Sequence, residues 1–166
     1  MLFNVAGLLR EPIGSERHYV LEPDPPVHGG STQLIRTPDG VLVRCQAEVV
    51  VDAACSRCLA PFGYRVPISF EEVFHQQVDV TSGHRLEEVT GDPEAFLIRL
   101  NHTIDITEAV RQYSEMAAVM QPLCREDCPG LCPACGKDLT VTTCSCDRAP
   151  KDPRWAALAA VLHANG

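Results

Sequence analysis

Six of the nine cysteines fall in one 23-residue stretch, Cys124 to Cys146, with the spacing C-x3-C-x3-C-x2-C-x8-C-x-C. From Cys124 onward this stretch contains only Leu131, Leu139 and Val141 as large apolar residues. Apolar burial alone cannot fix so short a segment. Cysteine content over the whole chain is below that of a disulfide scaffold. The opening residues, Met1 to Leu9, are apolar but show no basic leader and no small-residue cleavage site. The expectation is therefore a cytoplasmic protein whose crowded thiols hold metal. Disulfides and unligated thiols are the other readings.

Cys132-Pro133-Ala134-Cys135-Gly136 has the form of a zinc knuckle. Two intervening residues let one tight turn present both sulfurs to a single ion, and Gly136 lets the backbone fold back. Cys144 and Cys146 lie two apart, so on an extended segment both sulfurs point to one face. Cys124 and Cys128 lie four apart, one turn of a helix. Three pairs are one too many for a single tetrahedral ion. One zinc on Cys132, Cys135, Cys144 and Cys146 is the favoured arrangement, and a site using Cys128 is its nearest rival. A two-zinc cluster with shared thiolates and an iron–sulfur centre are also compatible with the spacing. Four cysteine ligands leave no open position, which makes the metal structural and not catalytic.

A second C-x-x-C, Cys55-Ser56-Arg57-Cys58, lies between two β-like segments and has Pro61 three residues on. A thioredoxin-like motif should follow a strand and open a helix, which lowers the pKa of its first thiol. That context is missing, so a structural turn without chemistry is the first reading. A second metal half-site comes next, then redox activity. Cys45, inside a strand, reads as buried and inert.

Around these cysteines the pattern is α+β. Val41–Val51 and Tyr64–Phe74 alternate apolar and polar and are rich in β-branched residues, which predicts an antiparallel hairpin with Cys55 and Cys58 at its tip. Pro67 suggests an edge or a bulge. Residues 2–9, 17–21, 33–36 and 96–100 read as further strands, and 22–30 and 78–94 as loops. A helix is expected over 105–120, with Asp105 and Glu108 forming a capping box. Its apolar face would be Ile106, Ala109, Val110, Tyr113, Ala117 and Met120, and Pro122 would end it. A last helix starts at Asp152-Pro153 and carries Trp155, Leu158, Ala159 and Leu162 on one face. The division predicted is a β-rich body at 1–121 and a Cys-rich zinc module with a terminal helix at 122–166.

Charge narrows the partners. Residues 1–110 contain eight Arg, no Lys and sixteen acidic residues, so they carry all of the net charge of −8. Such a body repels phosphate and favours basic protein surfaces, although solubility alone can account for it. Nine aromatic residues are too few for base-stacking platforms. No apolar run approaches membrane-spanning length. The six histidines are scattered, and no phosphate loop or nucleophile motif occurs, so no enzyme and no small-molecule substrate are expected.

The run Cys55-Ser56-Arg57-Cys58-Leu59, with Pro61-Phe62 and the strand end Phe70-Glu71-Glu72-Val73-Phe74, resembles the YceD-like family, the large ribosomal RNA subunit accumulation proteins. So do the continuous run from Pro122 to Pro133, Cys135-Gly136 and Asp152-Pro153-Arg154. The resemblance covers roughly residues 40–164. It implies a non-catalytic ribosome-biogenesis factor needed for large-subunit (23S-type) rRNA to accumulate, acting on that rRNA or on ribosomal proteins. Arg57, with Cys55 and Cys58, would then be a contact site. The rival reading is a thiol redox or metal-transfer protein that uses Cys55 and Cys58.

Overall fold

The structure, a computed structural model, describes residues 1–86, 95–146 and 154. The strands are β1 (Leu2–Asn4), β2 (Glu16–Leu21), β3 (Val27–Arg36), β4 (Gly40–Ala54), β5 (Pro61–Gln76), β6 (Leu97–Ile98) and β7 (Thr103–Asp105), and the helix α1 is Thr107–Ala117. Among the described residues the fold is α+β, with one α-helix and mostly antiparallel sheet. The chain divides into two compact units. One is Met1–Ala53 with Gly63–Met120, and the other is Ala54–Phe62 with the chain from Gln121 onward.

In the first unit a five-stranded sheet has the order β2-β3-β4-β5-β6, antiparallel from β2 to β4, while β6 joins β5 in parallel. β1 pairs with β7 in a separate two-stranded ladder. The alternation read from Val41–Val51 is realised: Val41, Val43, Cys45, Ala47 and Val49 face the core, while Gln46 and Glu48 face water. Leu34 of β3 lies opposite Val43 of β4, and both are fully buried. Each such aliphatic side chain contributes about 1.5–3 kcal/mol. Leu8, Leu9, Phe70, Phe74, Ile98, Ile104, Ile106 and Val110 complete the core. Cys45 is buried, and desolvation pushes its thiol up to about 11, which makes it inert.

Several boundaries differ from the sequence reading. β3 is ten residues long and takes in Gly29 and Gly30, which the reading placed in a loop. Proximity explains the glycine at position 30: a Cβ there would lie 2.3 Å from the Gln46 carbonyl oxygen and 2.7 Å from the Ala47 Cα. β1 stops at Asn4, whose side-chain oxygen accepts the Ala6 N–H at 3.0 Å and turns the chain; Leu8 and Leu9 then enter the core from a short 3-10 turn. Pro67 follows the edge rule even though β5 lies next to the edge strand β6 in the sheet order. β6 pairs only with His75 and Gln76, so the side of β5 at Pro67 has no strand partner among the described residues.

Helix α1 is shorter than the predicted 105–120. Asp105 does accept a first-turn N–H, that of Thr107 at 3.1 Å, but Glu108 turns to Arg111 and does not close a capping box. Ala118 is extended, so Met120 is 99% exposed and drops out of the predicted apolar face. Tyr113 stacks on Phe70 at 4.8 Å and donates its hydroxyl to Glu72 at 2.7 Å, anchoring the helix to β5. The expected terminal helix, with Trp155, Leu158, Ala159 and Leu162, lies outside the described residues. So does part of the predicted 78–94 loop.

Candidate functional site

The second unit is organised by its cysteines, and these form two groups of four. Cys55, Cys58, Cys124 and Cys128 make one; Cys132, Cys135, Cys144 and Cys146 make the other. Within each group all four sulfurs lie within 4.8 Å of one another. None of the nine cysteines is in a disulfide. In the first group Cys55 Sγ is 3.8 Å from Cys128 Sγ, and Cys58 Sγ is 3.8 Å from Cys124 Sγ. Four thiolates bound tetrahedrally at ~2.3 Å from a zinc ion would be ~3.8 Å apart. The spacing and the soft, all-sulfur donor set fit zinc, and each group could hold one metal ion.

Both groups are built on the same local backbone. The Cys55 N–H donates to the Ala60 carbonyl at 2.9 Å, and the Leu59 N–H donates to the Cys55 carbonyl at 2.9 Å. In the other turn the Cys132 N–H donates to the Lys137 carbonyl and the Gly136 N–H to the Cys132 carbonyl, both at 2.8 Å. The residue after the second cysteine is left-handed in each, with φ of 63° at Leu59 and 71° at Gly136. Glycine takes that conformation freely, whereas a residue with a Cβ pays roughly 1–2 kcal/mol. Cys55–Ala60 is therefore a second knuckle with leucine at the glycine position.

Electrostatics within the groups follow from these turns. Backbone N–H groups of Cys124, Cys58 and Arg57 point at the Cys55 sulfur and bring its thiol down to about 6, against the effect of burial. The N–H groups of Cys135 and Ala134, with the Cys144 thiol, do the same for Cys132, also to about 6. The partners go the other way. Cys124 is pushed up to about 12 by desolvation and the neighbouring thiols, and Cys146 to about 12, chiefly by Cys135. Metal-free groups thus share protons among crowded sulfurs, and a divalent cation would take the place of those protons.

The sequence reading named Cys132, Cys135, Cys144 and Cys146 as one set, and the structure brings these four together. The remaining cysteines are grouped differently from that reading. Cys128 lies with Cys55, Cys58 and Cys124, and the two groups have no cysteine in common, so they offer two separate four-thiol sets. Cys124 and Cys128 are held by a turn, closed by the Cys128 N–H on the Arg125 carbonyl at 3.1 Å, and not by a helix. Cys55 and Cys58, read first as a turn without chemistry, complete a set of four with that pair. The missed signal was arithmetic: the surplus pair at 124 and 128 and the unplaced pair at 55 and 58 add up to one further site.

Arg57, named as a contact residue, is tied down within this unit. Its guanidinium donates to the Cys128 carbonyl at 2.9 Å and reaches the Glu126 carbonyl at 3.5 Å. Its own carbonyl accepts the Leu131 N–H at 3.0 Å, and the Ser56 N–H donates to the Pro122 carbonyl at 2.8 Å. Gly130 approaches so closely that a Cβ would lie 2.8 Å from the Arg57 carbonyl oxygen. Buried Cys55, Cys58 and Cys128 pack with Phe62 and Leu123 into a small separate core.

Among the described residues, a mostly antiparallel sheet with one helix, accompanied by two four-thiol groups on paired knuckles, defines a β-rich protein with a Cys-rich unit that could hold metal. Residues 43–162 match the family model described as "Large ribosomal RNA subunit accumulation protein YceD", and the chain belongs to that family. An uncharacterized protein of Mycobacterium tuberculosis (strain H37Rv) is 32% identical over 124 residues, which is 75% of this chain and 56% of that relative. An uncharacterized protein of Mycobacterium leprae (strain TN) is 30% identical over 125 residues, 75% of this chain and 54% of its own length. The chain thus spans a little over half the length of these curated relatives. No solved structure matches. No helix among the described residues is long and apolar enough to cross a membrane. The family description names the accumulation of an RNA and no reaction.

Proposed function

We propose that the protein is a non-catalytic factor needed for large-subunit rRNA to accumulate in the cytoplasm, and that its second unit is shaped by two structural zinc ions. The family membership carries this reading. The chemistry of the site supports it. Each group supplies four thiols, a full tetrahedral set, which leaves no position where a substrate or activated water would bind. Zinc there supplies folding energy, and the chain's own residues (the knuckle N–H groups, Arg57 and Gly130) hold the sulfurs in place. The placement of Cys55 and Cys58 with Cys124 and Cys128 favours holding a metal over dithiol redox cycling.

Of the two contacts the family reading allows, rRNA or a ribosomal protein, the charge favours a basic ribosomal protein. All of the excess negative charge lies in residues 1–110, which repel phosphate. Depleting the protein from cells should lower mature large-subunit rRNA relative to small-subunit rRNA, and an unchanged ratio would contradict the proposal. Replacing exposed carboxylates of the body, such as Glu48 and Glu71, should weaken binding to large-subunit precursors and flatten its salt dependence. Salt dependence unaltered by these changes would count against the basic-protein contact.

A further inference from the structure

The two four-thiol groups differ in how they are enclosed. In the first, Cys55, Cys58 and Cys128 are buried and pack with Phe62 and Leu123, while Cys124 is exposed. Hydrogen bonds tie its two segments together. The Ser56 N–H donates to the Pro122 carbonyl at 2.8 Å, the Leu131 N–H to the Arg57 carbonyl at 3.0 Å, and the Arg57 guanidinium to the Cys128 carbonyl at 2.9 Å. Gly130 closes against Arg57 and leaves no room for a Cβ.

The second group is open by comparison. Of its four residues Cys132 is buried, Cys135 is exposed, and Cys144 and Cys146 are half-buried. A Cβ at Gly136 would meet nothing within 4 Å, so this knuckle has no neighbour packed on it. Val141, between the two cysteine pairs, is 78% exposed, and residues 142–146 belong to no helix or strand.

Oxidation of a cysteine follows its thiolate character and its access to solvent. Cys124 and Cys135 are the two exposed members, and they differ in what can follow. A disulfide from Cys124 needs one of three buried cysteines, and with it disruption of the Phe62–Leu123 core and the Arg57 contacts. Cys135 has Cys132 on its own turn, with the two sulfurs within 4.8 Å of each other. The Cys132 N–H on the Lys137 carbonyl and the Gly136 N–H on the Cys132 carbonyl, both at 2.8 Å, close that turn from its own backbone.

We propose that the Cys132 group is a peroxide-responsive metal site, which releases its ion when Cys132 and Cys135 are oxidised to a disulfide, while the Cys55 group keeps its ion. This rests on the two-zinc reading above and adds regulation to one of the two sites. The Cys135 thiolate attacks the peroxide, the O–O bond breaks, and a sulfenic acid and one hydroxide form. The Cys132 thiolate then displaces a second hydroxide from that sulfur and forms the S–S bond. Two electrons pass from the sulfurs to the peroxide. Cys144 and Cys146 remain as two ligands, too few for a closed tetrahedral site, and the zinc ion leaves to solvent.

The test uses the full chain loaded with zinc, treated with hydrogen peroxide in the presence of a chromogenic zinc chelator. One ion per chain should be released about tenfold faster than the other, the difference following exposure. Peptide mapping at that point should find Cys132 joined to Cys135, with Cys55, Cys58, Cys124 and Cys128 still reduced. Dithiothreitol and added zinc should restore two ions. A Cys55→Ser, Cys58→Ser variant should release its remaining ion at the fast rate, and a Cys132→Ser, Cys135→Ser variant at the slow one. Release of both ions at one rate, first release from the Cys55 group, or release with Cys132 and Cys135 still reduced would overturn the proposal and leave the two-zinc reading standing. A wild-type chain that never binds two ions would overturn that reading, and the proposal with it.

Discussion

At the scale of single residues, the main tension is between backbone geometry and side-chain identity. Gly30 is needed because its neighbours are backbone atoms of β4, which cannot move aside. Gly30→Ala should therefore destabilise the fold by about 1–3 kcal/mol, read as a lower midpoint in urea unfolding. An unchanged midpoint would mean that β3 and β4 separate more easily than their register suggests. Glu108 offers a check of a different kind. Hydrogen bonds from Arg111 and then Gln112 bring its carboxyl down to about 2 from an ordinary value near 4.5. A lowered folded-state pKa gives stability that is present above about 4.5 and lost as pH falls toward 2. The pair is exposed and its contribution small. Glu108→Gln should melt slightly below the wild type at pH 7, with the gap closing as pH falls through that window. A gap that persists at pH 2 would contradict the assignment.

At the scale of elements, strand alternation was the most legible feature of the sequence. Val41, Val43, Cys45, Ala47 and Val49 announced one face of β4, and those residues are the buried ones. Helix and strand ends were less legible because they depend on contacts distant in sequence. The sequence shows no reason for α1 to stop at Ala117, and Gly29-Gly30 look like loop residues until β4 lies against them. The cysteine groups divide in the same way. Cys132, Cys135, Cys144 and Cys146 are near neighbours and could be grouped by spacing. Cys55 and Cys58 meet partners 73 and 66 residues away, respectively, and only the folded chain brings those together. Leu59 concealed the first knuckle further, because the glycine that marks such a turn is absent. Phe74, 1% exposed and stacked on Phe96 at 5.1 Å, carries more of the core than any knuckle residue. Phe74→Ala should cost about 3–5 kcal/mol by chemical denaturation while leaving metal content unchanged in the folded fraction.

At the scale of the whole molecule, the two units draw on different sources of stability. The first has a continuous apolar core of sheet and helix residues. Among its described residues the second has a small core of Cys55, Cys58 and Cys128 with Phe62 and Leu123. Chelation should therefore abolish hydrogen-exchange protection in residues 54–62 and 121–146 while the amides of β3 and β4 stay protected. Uniform loss of protection would show that the sheet needs the metal as well. Whether each four-cysteine group holds its own ion is tested most directly by native mass spectrometry of the purified full chain. Two zinc ions per chain are predicted, falling to one in a Cys55→Ser, Cys58→Ser variant that keeps Cys132, Cys135, Cys144 and Cys146. A wild-type chain that carries one ion, or none, with Cys55 and Cys58 free to react with alkylating reagents, would contradict it.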